Sequence, residues 1–491
     1  MMKKLSIILS SLFFGLLCLV TCEFPSPQQN TVGHSASGNS GTIAILSVND
    51  MHSAIDMMPK FAALTDSLRQ VYPDLLVFSA GDNRTGNPVN DQYDPVNYPM
   101  IALMNKVGFQ LSAVGNHDWD GGLDGLRQNI KDADFPFLCA NAIIPEKLSL
   151  DVKPYEIFDV NGIKVAVIGL LETRADGNPG AHPMFFKEIR FKKGIDALSD
   201  YAFLRKQNDV LILLSHLGFE DDIDVAERHP EFDAILGGHT HTLIDHPKKY
   251  NGVMVTQAGS GLKNATLTLI EVRQGKVVDV KSQTLSVRHC RGKNREVQAM
   301  VDAYNDDERF NKTLSKAVTP FENREELGCL FTDAIRDISD ADFAFCNTGG
   351  LRTNDLRKGP ITVKDVYSID PFNNEVVVYQ MTGKQMERFI MESFKKNGRT
   401  PSYVSGMSYT VMTASDGYPK SVDIRPLGGR FSKDAVYKVA MNSYMASTVR
   451  FESLDDGESQ YMTTEEMVIS YLKKHNNVSY KGEKRIFVAS K

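Results

Sequence analysis

Between residue 42 and about residue 287 the chain repeats one pattern: a short, almost wholly apolar run, then a polar stretch rich in helix formers. The runs are Ile43–Val48, Leu75–Phe78, Leu111–Val114, Ile163–Leu170, Val210–Leu214, Ala234–Leu236 and Val253–Val255. A strand without a polar face has to be covered on both sides, so the pattern argues against a one-sided antiparallel sheet and predicts a layered α/β sandwich. At 491 residues the chain exceeds what one core holds, and a second domain is expected. Its 42 % hydrophobic and 24 % charged residues are ordinary for a folded globular protein.

The polar residues that follow the runs carry the chemistry, because the ends of strands are where α/β proteins build sites. In order they are Asp50 and His52, then Gly81-Asp82, then Gly115-Asn116-His117-Asp118, then Ser215-His216, then Gly237-Gly238-His239-Thr240-His241. Asp50 and His52, two apart in extended chain, share a face and can reach one cation. Each cluster alone also has a structural reading, an aspartate after glycine being a common turn; the ordered set of five is what points to a metal centre. Nitrogen and oxygen donors without thiolate suit zinc, manganese, iron or cobalt. Asp120 lies three residues after His117, a spacing that lets a carboxylate orient an imidazole and keep it positive. Capping of the next helix is the alternative for Asp118 and Asp120, and Asp118 is assigned that role. The six remaining histidines, among them His182, His229 and His246, are expected in surface or packing roles.

The series DxH, GD, GNHD, a lone histidine after a strand and GGHxH resembles the calcineurin-like metallophosphoesterases, and within them the 5'-nucleotidase family of bacterial periplasmic and animal surface enzymes. The resemblance implies a four-layer α/β/β/α metallophosphoesterase sandwich over residues 42–289, a connecting helix and linker over 290–320, and an α/β substrate-binding domain over 321–491. It implies two divalent ions, zinc or manganese: Asp50, His52, Asp82 and His241 hold one, while Asp82, Asn116, His216 and His239 hold the other, with Asp82 bridging. A hydroxide between the ions attacks phosphorus, and His117, supported by Asp120, steadies the phosphoryl group or protonates the leaving oxygen. In the second domain a helix is expected near Glu325–Ile338, a strand near Phe343–Cys346 and a helix over Gly383–Lys396. The run FCNTGGLR, Phe345–Arg352, is similar to the family's NGGGIR loop, and Ser368–Asn374 to its PFGN segment. By that likeness Asn347, Arg352 and Asn374 bind polar groups of a nucleotide, Phe372 stacks on the base, and Arg324 is a further candidate. Structural readings stand beside these, a GG turn for the loop and a core position for Phe372. The family's second stacking aromatic, in a GGDG(Y/F) loop, has no counterpart; Phe451 or Tyr461 could stand in.

The activity implied is release of phosphate from nucleoside monophosphates. Alternatives within the superfamily are 2',3'-cyclic phosphodiesterase with 3'-nucleotidase, nucleotide-sugar pyrophosphatase and thiosulfohydrolase chemistry; outside catalysis, the alternative is a nucleotide-binding surface lipoprotein. Export is expected, because Lys3 and Lys4 precede the apolar run Leu5–Val20 and a polar stretch follows. The closing Leu19-Val20-Thr21-Cys22 resembles a bacterial lipobox, with Thr21 where a smaller residue is usual, and residues 23–41 then form a flexible tether from a lipid on Cys22. That lipid is the only membrane contact expected. The net charge of −6 becomes about two units more negative on cleavage, and no basic block appears, which argues against nucleic-acid polymers as partners. Cys139, Cys290, Cys329 and Cys346 show no CxxC spacing; disulfide pairing and free thiols are both open.

Overall fold

The apolar runs form strands, paired as their lack of polar surface requires. In the computed structural model, which describes residues 39–174 and 177–490, β1 (Gly41–Val48), β2 (Leu76–Ser79), β3 (Leu111–Ala113), β4 (Phe137–Leu138) and β5 (Val152–Lys153) lie parallel, side by side. Next comes β6 (Tyr155–Val160), the edge of a second sheet built on β7 (Ile163–Leu171), β8 (Val210–His216) and β9 (Ala234–Leu236). The short β10 (Lys248–Tyr250) closes its other edge against the parallel β11 (Val253–Thr256). β12 (Asn264–Arg273) and β13 (Lys276–Ser286) return antiparallel to β1, so the sheet orders are β13-β12-β1-β2-β3-β4-β5 and β10-β11-β9-β8-β7-β6.

The two sheets face each other. Ile43, Ile45, Phe78 and Leu111 from the first meet Val165, Val167, Ile212 and Leu214 from the second in one buried cluster. Helices α1 (Met58–Val71), α2 (Tyr98–Val107) and α3 (Gly122–Asp132) make the crossovers of the first sheet, and α4 (Phe219–Arg228) joins β8 to β9. Val225 and Ala226 of α4 pack on Ile168, Leu211 and Leu213, the outward side of the second sheet. The result is the expected α/β/β/α order. Each fully buried Val, Leu, Ile or Phe contributes about 1.5–3 kcal/mol, so the double sheet carries the stability and its loops can hold polar residues.

Helix α5 (Arg295–Asn305), capped by the Asn294 side chain, packs on α1 and α2. The stretch predicted as linker then continues into β14 (Thr313–Ala317), whose alternating burial, ending on fully buried Ala317, is that of a half-polar strand. An apolar-run criterion passes over such a strand. Helix α6 (Arg324–Ile338) begins where the Asn323 side chain accepts hydrogen bonds from the amides of Glu325 and Glu326. There follow β15 (Phe343–Cys346), β16 (Gly359–Thr362), which pairs with β14, α7 (Val363–Ile369), β17 (Glu375–Thr382) and α8 (Gly383–Lys396). With β18 (Tyr403–Ser405), β21 (Val436–Asn442) and β22 (Glu458–Thr463) these give a five-stranded sheet, β18-β15-β21-β17-β22; β19 (Met407–Thr413), β20 (Pro419–Pro426) and β23 (Ile486–Ser490) form a smaller one. Helices α9 (Ser443–Thr448) and α10 (Thr464–Lys474) follow β21 and β22.

Cys139, Cys290, Cys329 and Cys346 are unpaired, and all but Cys290 are buried. Among the described residues no helix is long and apolar enough to cross a membrane. The expected export signal, Cys22 and most of the tether lie outside the described residues.

Candidate metal centre and substrate cleft

Because β1, β2, β3, β8 and β9 run parallel within their sheets, their carboxyl ends emerge on one edge, and the polar clusters emerge with them. The loops after β1 and β2 continue side by side beyond the sheet: the amides of Asp50, His52 and Ser53 donate to the carbonyls of Gly81, Asp82 and Asn83 at 2.9–3.0 Å. Space there is tight. A side chain at Gly115 would strike the Asp82 carboxylate, and one at Gly81 would come within 2.7 Å of the Gly115 amide. Asp50, His52, Asp82, His239 and His241 all have positive φ, between 46° and 77°. Each such non-glycine residue costs about 1–2 kcal/mol, a cost that concentrates at functional sites.

The ring nitrogens are oriented from behind. His52 Nδ1 donates to the Arg84 carbonyl at 3.2 Å, and His216 Nδ1 to that of Ala80 at 2.6 Å, so each presents Nε2 forward. Asn116 Nδ2 donates to the Gly180 carbonyl, which turns Oδ1 toward His216 Nε2 at 3.2 Å and His239 Nδ1 at 3.0 Å. Two groups of potential donors result, Asp50 with His52 and His241, and Asp50 with Asp82 and His216. His52 Nε2 and His241 Nε2 lie 2.9 Å apart. Both face Asp50 Oδ1, at 3.8 and 3.2 Å, a buried oxygen without a regular hydrogen bond. Such convergence of nitrogens and an orphaned carboxylate oxygen is what a cation demands.

The protonation states of Asp50, Asp82, His52 and His239 agree. Burial opposes ionisation of Asp50 and Asp82, but the imidazoles of His241 and His216 outweigh it and hold both carboxyls below their ordinary range. Burial and then the Arg352 guanidinium push His52 well down, and burial with His216 pushes His239 down to about 4, so both rings are neutral, as ligands must be. His216 departs from this: burial is overcome by Asp82, 3.2 Å from Nε2, and the ring is pushed up to about 10, so it carries a proton that a bound cation would displace.

His117 lines the cleft and donates from Nδ1 to Asp120 Oδ2 at 2.8 Å; Thr85 holds the same oxygen at 2.8 Å. Asp118 does not cap the helix that follows. Its carboxylate accepts from the amides of Asp82, Asn83 and Gly115 at 2.8–3.1 Å, and no side chain caps α3. Asp118 instead ties the β2 loop to the β3 loop, and burial pushes it up to about 6.

A cavity of about 610 Å³ joins this cluster to the second half of the chain. Asn347, Arg352, Phe372 and Asn374 all line it. Arg352 Nη2 reaches His52 Nε2 at 2.9 Å, its guanidinium lies 5.8 Å from the centre of the Phe372 ring, and that ring lies 5.6 Å from His117. Asn347 Oδ1 accepts from Asn442, and Asn374 Oδ1 from Ser443 at 3.3 Å. Arg324 is exposed at the start of α6 and does not line the cavity, although its charge acts on Arg352. Neither proposed substitute for the second aromatic reaches it: Phe451 packs on Tyr379 and Phe389, and Tyr461 is 89 % exposed.

Residues 43–243 match the family described as calcineurin-like phosphoesterase, and residues 307–453 the 5'-nucleotidase C-terminal domain. The chain belongs to the 5'-nucleotidase family of calcineurin-like metallophosphoesterases. It is 26 % identical over 467 residues to Protein UshA of Yersinia enterocolitica, covering 82 % of this chain and 83 % of that one. To a 5'-nucleotidase of Vibrio cholerae it is 28 % identical over 436 residues, covering 76 % and 77 %. The solved 5'-nucleotidase precursor from Thermus thermophilus shares its fold with a TM-score of 0.79 at 23 % identity, over 91 % of this chain and 99 % of that one.

As a member of this family the chain is a phosphoester hydrolase, and calcineurin-like phosphoesterases use a dinuclear metal centre that these donors fit. The cleft also holds residues that no motif announced. Arg174, His182, Phe185 and Tyr444 line it, and Arg174 Nη1 donates to the Tyr444 hydroxyl at 2.8 Å. His182 thus leaves the surface-or-packing group. Except for Tyr444, they come from the loop after β7, a strand without a histidine or aspartate cluster directly behind it, so no spacing signalled it.

Proposed function

We propose that this 5'-nucleotidase family member releases phosphate from nucleoside 5'-monophosphates, with zinc or manganese as its two ions. What carries the reading is the meeting, in one cavity, of the carboxylate–imidazole cluster and His117–Asp120 with Arg352 and Phe372 from the other half of the chain. Asp50, His52, Asp82 and His241 would hold one ion, and Asp82, Asn116, His216 and His239 the other. When bound, such a pair neutralises phosphoryl charge and makes water nucleophilic near neutral pH.

The chain's own groups supply the rest. Asp120 fixes the His117 tautomer, leaving Nε2 to meet a phosphoryl or leaving-group oxygen. Arg352, always protonated, offers charge-assisted hydrogen bonds to the phosphate. The Phe372 face stacks on a base, and Asn347 and Asn374 offer amides to its sugar or edge.

The test is phosphate release from AMP by residues 23–491, with chelator and after adding back Mn²⁺ or Zn²⁺. Release that chelator stops and metal restores supports the reading. Cleavage of an aryl phosphate but not AMP leaves the metal centre and rejects the nucleotide. Export and a lipid on Cys22 belong to the same proposal; labelling by fatty acid that persists in Cys22→Ser removes the anchor from it.

A further inference from the structure

Behind His117 and Asp120 lies a second cavity, of about 340 Å³, which adjoins the cleft through Asp120, Phe185 and Asn373. Arg84 lines it and is only 3 % exposed. Among the described residues neither its Nε nor its Nη1 finds a hydrogen-bond acceptor. A guanidinium removed from water without a partner is strongly unfavourable unless a counter-charge arrives.

The two carboxylates on the same wall are already engaged. Asp91 accepts from the amides of Thr85, Gly86 and Asn87, from the Ser53 hydroxyl and from Asn90 Nδ2, at 2.6–3.1 Å. Asp120 Oδ2 accepts from His117 and Thr85. The same cavity is lined by Gly121 and Gly122, the amino end of the eleven-residue helix α3, which no side chain caps. Helix amides and a buried arginine that line one space favour an anion. Gly121 makes room for the guanidinium, since a methyl group there would strike Arg84 Nη1.

We propose that Arg84 and the amino end of α3 form a second oxyanion site that takes a phosphate group, beside the metal centre and distinct from it. Its ligand is either free orthophosphate, the product on its way out, or a second phosphoryl group of a longer substrate. The role in turnover rests on the hydrolytic reading; the anion site does not.

The experiment is calorimetric titration of inorganic phosphate into the metal-loaded mature chain, wild type against Arg84→Met and Arg84→Lys. The wild type should bind one more equivalent than Arg84→Met, and Arg84→Lys should keep that equivalent with weaker affinity. If the hydrolytic reading is wrong and the metal centre takes no phosphate, the counts become one and none, so the difference of one equivalent survives. Equal stoichiometry in wild type and Arg84→Met overturns the proposal. Should Arg84→Met fail to fold, Gly121→Ala, at a residue with φ of −82°, crowds the guanidinium without backbone strain and must lose the same equivalent; retention there overturns the proposal too. Titration with α,β-methylene-ADP separates the sources. Weakening of about tenfold or more in Arg84→Met relative to wild type assigns the site to a second phosphoryl group, and unchanged affinity assigns it to free phosphate.

Discussion

At the scale of single residues, the cleft separates groups that act on phosphorus from groups that hold the rest of the substrate. Replacing His117 by Asn is expected to lower kcat about 10²- to 10⁴-fold, the usual worth of a positioned acid–base group. Asp120→Asn leaves the imidazole in place but takes away the carboxylate that fixes its tautomer; its kcat should fall less than that of His117→Asn, with KM for AMP unchanged. A kcat in Asp120→Asn equal to that of the wild type denies Asp120 the role. Phe372→Ala should raise KM for AMP about tenfold and leave an aryl phosphate unaffected, because one stacked base is worth about 1–3 kcal/mol; equal losses on both substrates place Phe372 in the fold instead. The residue types and their order announced the donor set. Sequence could not show what Asp118 does, since three amides from two loops that meet only in space recruit its carboxylate. Arg174, His182 and Tyr444 stayed hidden for the same reason: they converge through tertiary contact, from a loop and a helix start that carry no spacing signal.

Among elements, the one that presents Phe372 rests on a buried acid pair. Asp370 ends α7, and Glu465 opens α10 and accepts from the Asn373 amide at 2.7 Å; Thr464 donates to Asp370 at 2.7 Å. Burial raises both carboxyls, Asp370 to about 6 and Glu465 well above its ordinary value, where Asp370 adds to the shift. A raised carboxyl means that the native state binds the proton the unfolded chain has released, so this pair stabilises most at low pH. Its contribution falls as pH rises from about 4 through about 6, on the order of 3 kcal/mol from Asp370. Glu465→Gln keeps the acceptor for Asn373 and offers an amide to Asp370, so its Tm should decline less than the wild type's between pH 5 and 8. Parallel declines of the two Tm curves contradict this origin. The central strands were legible because both their faces are apolar; β14 was not, because half of it meets water.

Across the whole molecule, polar contacts join the two halves at the cleft: Arg352 to His52, Gln92 to Asn373 at 2.9 Å, and Arg174 to Tyr444. Contacts of this kind exchange readily with water, which suits halves that part to admit substrate and meet around it. A covalent cross-link engineered between positions 92 and 373 should therefore slow AMP turnover at least tenfold when formed, recover on its removal, and spare a small aryl phosphate. Full AMP turnover by the cross-linked form excludes the motion.

Five residues of the metal cluster sit at positive φ. The chain therefore holds its rim like a drawn spring, kept taut by whatever the side chains grip. Once chelator removes that grip, backbone amides at positions 50–53, 82–85 and 239–242 should exchange with deuterium well ahead of the strands that carry them, and slow again when metal returns. Bound ions, on this view, finish the folding of the very loops that receive them.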